Sequence, residues 1–132
     1  MTVVCDASVV VSAVIQDGAR GQWASSLLQS ELLLAPHILP AEVAHALRHR
    51  EMTGHLSSRM ATTAYAEMLA LDVDLRTLTP LAARIWELRH NVTPYDAWYI
   101  ALAEAEGLQF ATLDRRLALA PGVRCGFLLP PP

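Results

Sequence analysis

The chain has no lysine: all ten of its basic residues are arginine, and against thirteen acids they leave a formal net charge of −3. That balance excludes a protein that coats DNA through overall basic charge, while leaving room for a local arginine patch. Guanidinium suits bidentate phosphate contacts, but a GC-rich coding bias would give the same composition, so the arginines alone name no partner. Cysteine is scarce too. Cys5 and Cys125 sit far apart in two strand-like runs with no neighbour at metal-ligand spacing, which reads as reduced core thiols, a single disulfide being the lesser alternative. No run approaches the roughly 18 apolar residues of a membrane span, and no basic segment precedes a cleavable apolar one, so a cytoplasmic protein is expected. There is no phosphate loop and no Gly-x-Gly-x-x-Gly, which argues against a nucleotide cofactor. Nor is there a linker, a repeat or a low-complexity tract before the closing prolines. The 132 residues therefore read as one domain, 1–132, large enough to bury a core without disulfides. At 53% apolar and 17% charged it is rich in apolar surface for a small monomer, a hint of an interface.

What is present alternates in period. "TVVC" is a short apolar strand ending at Asp6, and "DASVVVSAVIQ" continues into a helix for which Ser8 is a possible cap. Gly18 and Gly21 bracket a break, "QWASSLLQS" follows as a helix, and "ELLLAP" is a buried strand closed by Pro36. "LPAEVAHALRHREM" sets Leu39, Val43 and Leu47 on one stripe, with Gly54 after its end, and 57–71 carries a further helix. "VDLRTL" is a short strand. "TPLAARIWELRH" is a helix capped by Thr79, another helix begins at Pro94 and ends near Gly107, and "LQFATLD", "RRLALA" and "RCGFLL" read as strand, short helix and strand. Short apolar strands separated by helices define an α/β domain with a largely parallel sheet.

Four acids occupy comparable places in that order. Asp6 and Asp114 end strands, while Glu42 and Asp96 stand in the first turns of helices, behind Pro40 and Pro94. Each has a sufficient local explanation, as a cap or as a first-turn acid worth about 0.3–1 kcal/mol against the helix dipole. Convergence is different. A helix that follows a parallel strand starts at that strand's carboxyl end, and the helix of Asp96 runs antiparallel to the strand of Asp114, so all four acids can meet at one rim. Four carboxylates at one rim repel unless a cation lies among them. Arginine could neutralise part of the charge, but an oxygen-only donor set suits a hard divalent ion, Mg²⁺ or Mn²⁺, better than zinc. Such an ion suits phosphodiester hydrolysis, with one or two metals left open.

Four segments in order, "VVCDASVVV", "LPAEVAHAL", "TPYDAWYIALAEAEG" and "FATLDRRL", resemble a PIN-domain ribonuclease, specifically a VapC-type toxin of a type II toxin–antitoxin system. The resemblance covers nearly the whole chain. It implies a three-layer α/β/α sandwich with a central, mostly parallel sheet, and a Mg²⁺- or Mn²⁺-dependent endoribonuclease that leaves 3′-hydroxyl and 5′-phosphate ends. It also implies a homodimer held in check by a cognate VapB-type antitoxin whose tail lies against the active-site groove. The family's catalytic and metal-binding acids fall on Asp6, Glu42, Asp96 and Asp114, with Ser8 and Thr112 supporting them.

Other readings compete. Glu42-x-x-His45 resembles half of a di-iron site and His45 and His49 are spaced like zinc ligands, yet a second Glu-x-x-His and a third zinc ligand are both missing, so a solvated helix face explains them better. "DASVV" also suggests a phosphoryl-transfer aspartate, but Ser8 stands where a second aspartate is needed. Trp23, Trp86, Trp98 and Tyr99 read as core or interface, and Tyr95 alone, beside Asp96, as a residue approaching RNA. Arg115 and Arg116 are the leading candidates for phosphate contacts, ahead of Arg48, Arg50 and Arg89, although a solvated surface position explains each one singly as well or better. A partner-binding module without catalysis is the alternative function, and "LPAEVAHALRHRE" with 57–71 are the expected partner helices. The identity of the RNA, whether transfer, ribosomal or messenger, is not written in these motifs.

Overall fold

A computed structural model describes residues 1–132. The chain runs β1 (Thr2–Cys5), α1 (Ala7–Val14), α2 (Gly18–Ser30), β2 (Leu32–Pro36), α3 (Leu39–Met52), α4 (Ser58–Leu69), β3 (Val73–Arg76), α5 (Ala82–Glu87), α6 (Pro94–Glu106), β4 (Phe110–Ala111) and β5 (Phe127–Leu128). All strand pairings are parallel, in the order β3-β2-β1-β4-β5. From β1 to β3 the chain steps in one direction, and from β3 it returns past β1 to β4. Right-handed crossovers therefore put α1 to α4 on one face and α5 and α6 on the other. The packing agrees: α1 meets α2, α3 and α4, while α6 meets α5 and lies on β1, β2 and β4. The result is the expected α/β/α sandwich. β1 is its centre, with Val3, Val4 and Cys5 at most 1% exposed because helices cover both faces.

The alternation of periods held, and several details moved. α1 is capped by Asp6 rather than Ser8, the Asp6 carboxylate accepting from Val9 N at 3.3 Å. Gly21 does not mark a break but lies inside α2, where a β-carbon would stand 2.8 Å from the Ser12 carbonyl oxygen; glycine lets α1 and α2 pack backbone to backbone. Thr79 makes no capping bond, because 79–81 form a 3₁₀ turn ahead of a helix only six residues long. The strands at Phe110 and Phe127 are two residues each, and "RRLALA" yields only a 3₁₀ turn at Leu117–Leu119. The two thiols are free, Cys5 buried and Cys125 half-buried. No helix is long and apolar enough to cross a membrane.

Candidate active site

β1 and β4 are neighbours whose chains leave toward opposite edges of the sheet, the place where a parallel α/β fold opens a crevice at its carboxyl ends. Asp6 follows β1 there and Asp114 lies three residues beyond β4. Thr93 caps α6 by accepting from Asp96 N at 3.2 Å, which brings Asp96 to the same rim from one layer, and the first turn of α3 brings Glu42 from the other.

Asp6 is the most enclosed of the four, 8% exposed, and the best held. Its Oδ1 accepts from the Ser8 hydroxyl at 2.5 Å and its Oδ2 from the Thr112 hydroxyl at 2.6 Å. Those hydroxyls in turn accept backbone N–H groups of the β4 segment, Ser8 from Leu113 and Thr112 from Asp114, each at 3.1 Å. Ser8 and Thr112 thus tie Asp6 to the loop that carries Asp114. Glu42 accepts a 2.6 Å bond from the Tyr99 hydroxyl. Tyr99, taken from sequence as core or interface, is a site residue missed there; its one signal was its position one turn after Asp96 on the same helix.

The electrostatics join these groups into one system. Burial raises the Asp6 carboxyl to about 6 against its hydroxyl and N–H donors, and the Asp96 charge adds to the rise. Burial likewise raises Glu42, opposed by the Tyr99 bond and helped by Asp96. Asp96 is raised by burial and by Asp114, with Thr93 and Arg116 pulling the other way. Only Asp114 is lowered, because Arg116 donates to it: Nε at 3.2 Å and the backbone N–H at 3.0 Å, both to Oδ1. Three of the four carboxylates are thus raised, chiefly by burial and in smaller part by one another's charge, a cost that a cation would relieve.

A groove of about 960 Å³ runs from this rim between α1 and α3, with Ser8, Glu42, His45, Tyr95, Asp114 and Arg116 among its walls. A second cavity of about 530 Å³ reaches Asp96, Thr93 and Arg89, and the Asp114–Arg116 pair lines both. The two leading arginines part company here. Arg116 stands at the site, whereas the Arg115 guanidinium donates to the Pro130 carbonyl. Arg50 lines the groove, and Arg89 lies over the Trp86 ring, 4.5 Å from its centroid. As the side chains lie, no three Asp, Glu, His or Cys residues form a group able to hold a metal ion, and His45 and His49 are no exception. The donor chemistry at the rim, oxygen-only and with no ion pair to Asp6, Glu42 or Asp96, nonetheless suits a hard divalent cation better than a softer one.

Comparison with known proteins turns this geometry into a family. The PIN domain matches residues 3–123. Ribonuclease VapC1 of Mycobacterium tuberculosis is 42% identical over 123 residues, 92% of each chain. The chain belongs to the VapC group of PIN domains. Solved structures agree with this PIN fold. Mycobacterium tuberculosis VapC20, a sarcin–ricin loop cleaving toxin, superposes with a TM-score of 0.69 at 21% identity, over 92% of this chain and 96% of that one. VapBC2 from Rickettsia felis, bound to a DNA fragment from their promoter, gives 0.67 at 12% identity over 98% of each chain. In this PIN domain the four acids singled out by position stand at the carboxyl rim.

Proposed function

We propose that this PIN domain is a Mg²⁺- or Mn²⁺-dependent endoribonuclease toxin of the cytoplasm, acting as a homodimer and neutralised by a VapB-type antitoxin. The observation that carries this reading is the meeting of Asp6, Glu42, Asp96 and Asp114 at the carboxyl rim beside one groove, with no ion pair to Asp6, Glu42 or Asp96. The names of its relatives, ribonuclease VapC1 and a sarcin–ricin loop cleaving toxin, support RNA as the substrate, and the VapBC2 structure supports a VapB-type partner.

Asp6, Glu42, Asp96 and Asp114 would hold the metal, which supplies an activated water and offsets the charge that develops on the phosphate oxygens. Ser8 and Thr112 fix the Asp6 carboxylate through both of its oxygens, so it meets the site in one rotamer. Arg116 keeps an exposed guanidinium beside Asp114, where it can pass from the carboxylate to an RNA phosphate. The groove beside α3 is the place for the antitoxin tail, and the exposed Met52, Met60, Tyr65 and Leu69 of α3 and α4 offer apolar surface to a partner.

The test is cleavage of a mixed structured-RNA pool by purified protein free of antitoxin, in Mn²⁺ and in EDTA, with Asp96→Asn alongside. Cutting in Mn²⁺ alone, lost in the variant, is expected. A folded protein that cuts in no metal would transfer the weight to a partner-binding module, for which Asp6 is a helix cap and nothing more.

A further inference from the structure

Tyr99 is 1% exposed and packs face to face with Phe110 of β4, ring centroids 5.7 Å apart and planes within 6°. A phenylalanine would fill that space equally well, so packing accounts for the ring and not for the hydroxyl. The hydroxyl makes one hydrogen bond, to Glu42 Oε1 at 2.6 Å, across 57 residues of sequence and between helices from opposite layers of the sandwich. A phenol donating to a carboxylate is among the stronger bonds a side chain makes. No other hydrogen bond or ion pair restrains the Glu42 carboxylate. Its side chain, with three rotatable bonds on a groove wall, would otherwise sample several rotamers. Tyr99 also shares α6 with Asp96, one turn away, so one rigid element sets the positions of both acids.

We propose that Tyr99 is a positioning residue, which occupies Oε1 of Glu42 and leaves Oε2 alone to face the cation or water that the rim acids share. The proposal rests on the reading of the rim as a metal-dependent nuclease site. Partners that orient a ligating carboxylate are worth about 10–100-fold in metal affinity or activity, and a single neutral hydroxyl belongs at the lower end of that range.

The experiment compares wild type, Tyr99→Phe, Glu42→Gln and the double variant. Mn²⁺ binding is followed without RNA by electron paramagnetic resonance of the free ion, kcat and KM on a cleavable RNA are measured separately, and melting is recorded in EDTA. Tyr99→Phe should weaken Mn²⁺ binding about tenfold and lower kcat about tenfold at unchanged KM, with little change in melting. In the Glu42→Gln background it should add nothing. Wild-type Mn²⁺ affinity and kcat in Tyr99→Phe, with only the melting temperature lowered, would make the hydroxyl structural and overturn the proposal; so would additive losses in the double variant. If wild type itself takes up no Mn²⁺, the metal reading fails before any variant is compared, and the role of Tyr99 falls with it.

Discussion

The two ends of α6 carry the same kind of residue and reverse what the helix alone would dictate. A first-turn acid is favoured by the helix dipole and a last-turn acid is opposed by it, so Asp96 should be comfortable and Glu104 strained. Instead, Glu104 lies below the ordinary range: burial pushes it up, but Arg84 donates twice, at 2.7 and 3.2 Å, and Arg124 N adds a 2.7 Å bond. Glu106 pairs with Arg76 at 2.9 Å. Asp96 has no such partner, faces Asp114, and is raised. At the end of α6 away from the crevice both acids pair with arginine, whereas of the four acids at the crevice only Asp114 does. On the proposed reading, the difference separates structural from functional charge within a single helix.

The comparison breaks most visibly if one acid of the crevice is neutralised. Asp96→Asn should lower metal-dependent RNA cleavage by about 10²–10³-fold, the scale for loss of one preorganised charge-stabilising group, with the circular dichroism spectrum intact. A variant that cuts normally would mean that Asp96 is only a first-turn acid. On the proposed reading, adding the cation should have the opposite effect on stability: Mn²⁺ at 100 times its dissociation constant should stabilise the fold by about 2.7 kcal/mol, read by urea denaturation against EDTA. At the other end of the helix, Arg84→Ala should cost about 2 kcal/mol, because the charged bonds to a half-buried Glu104 are lost. It should leave cleavage unchanged.

That contrast also marks how far the sequence could be read. The placement of Asp6, Glu42, Asp96 and Asp114 at one rim was legible because strand ends and helix starts place backbone, and backbone order alone brings them together. Tyr99 was not, because its role depends on a hydroxyl meeting a glutamate from the opposite layer, and in sequence it is one more aromatic residue on a buried stripe. Ser8 was legible as a helper and misread as a cap, since Asp6 takes the capping bond from Val9 N while also accepting from Ser8. Arg115 and Arg116 are indistinguishable as neighbours; only the turn after Asp114 sends one to the carboxylate and the other to the Pro130 carbonyl. The strands at Phe110 and Phe127 are two residues each, although the backbone bonds between them run on to Thr112 N and the Leu128 carbonyl.

A smaller effect comes from pH, and its sign follows from which acids are matched. With its folded carboxyl at about 6, Asp6 binds a proton more tightly in the folded than in the unfolded chain. Its contribution is therefore full below the unfolded value near 4 and is lost as pH rises through about 6. Glu42 and Asp96 are raised and act in the same direction. Glu104 and Asp114 are lowered, so their stabilisation holds through this window and fades only at more acid pH. In EDTA, lowering pH from about 7 to 5 should thus stabilise the protein by about 1 kcal/mol from Asp6, in contrast to the usual acid loss. Asp6→Asn should flatten that response, and saturating Mn²⁺ should invert it.

The smallest expected effect fixes where the crevice ends. His45 follows Glu42 by three residues, lines the same groove, and has the spacing of a metal-ligand pair. Glu42, unlike His45, is tied to the α6 side of the rim by the Tyr99 hydroxyl. If the boundary between unmatched acids and ordinary surface lies between these two residues, His45→Ala should leave Mn²⁺ affinity and cleavage within about twofold and stability within about 0.5 kcal/mol, as for a surface substitution. A tenfold loss of Mn²⁺ affinity would extend the site along α3 and make the ion's donor set mixed nitrogen and oxygen. The preference for Mg²⁺ and Mn²⁺ over zinc would then have to be measured afresh, by competition between the metals on the wild-type protein.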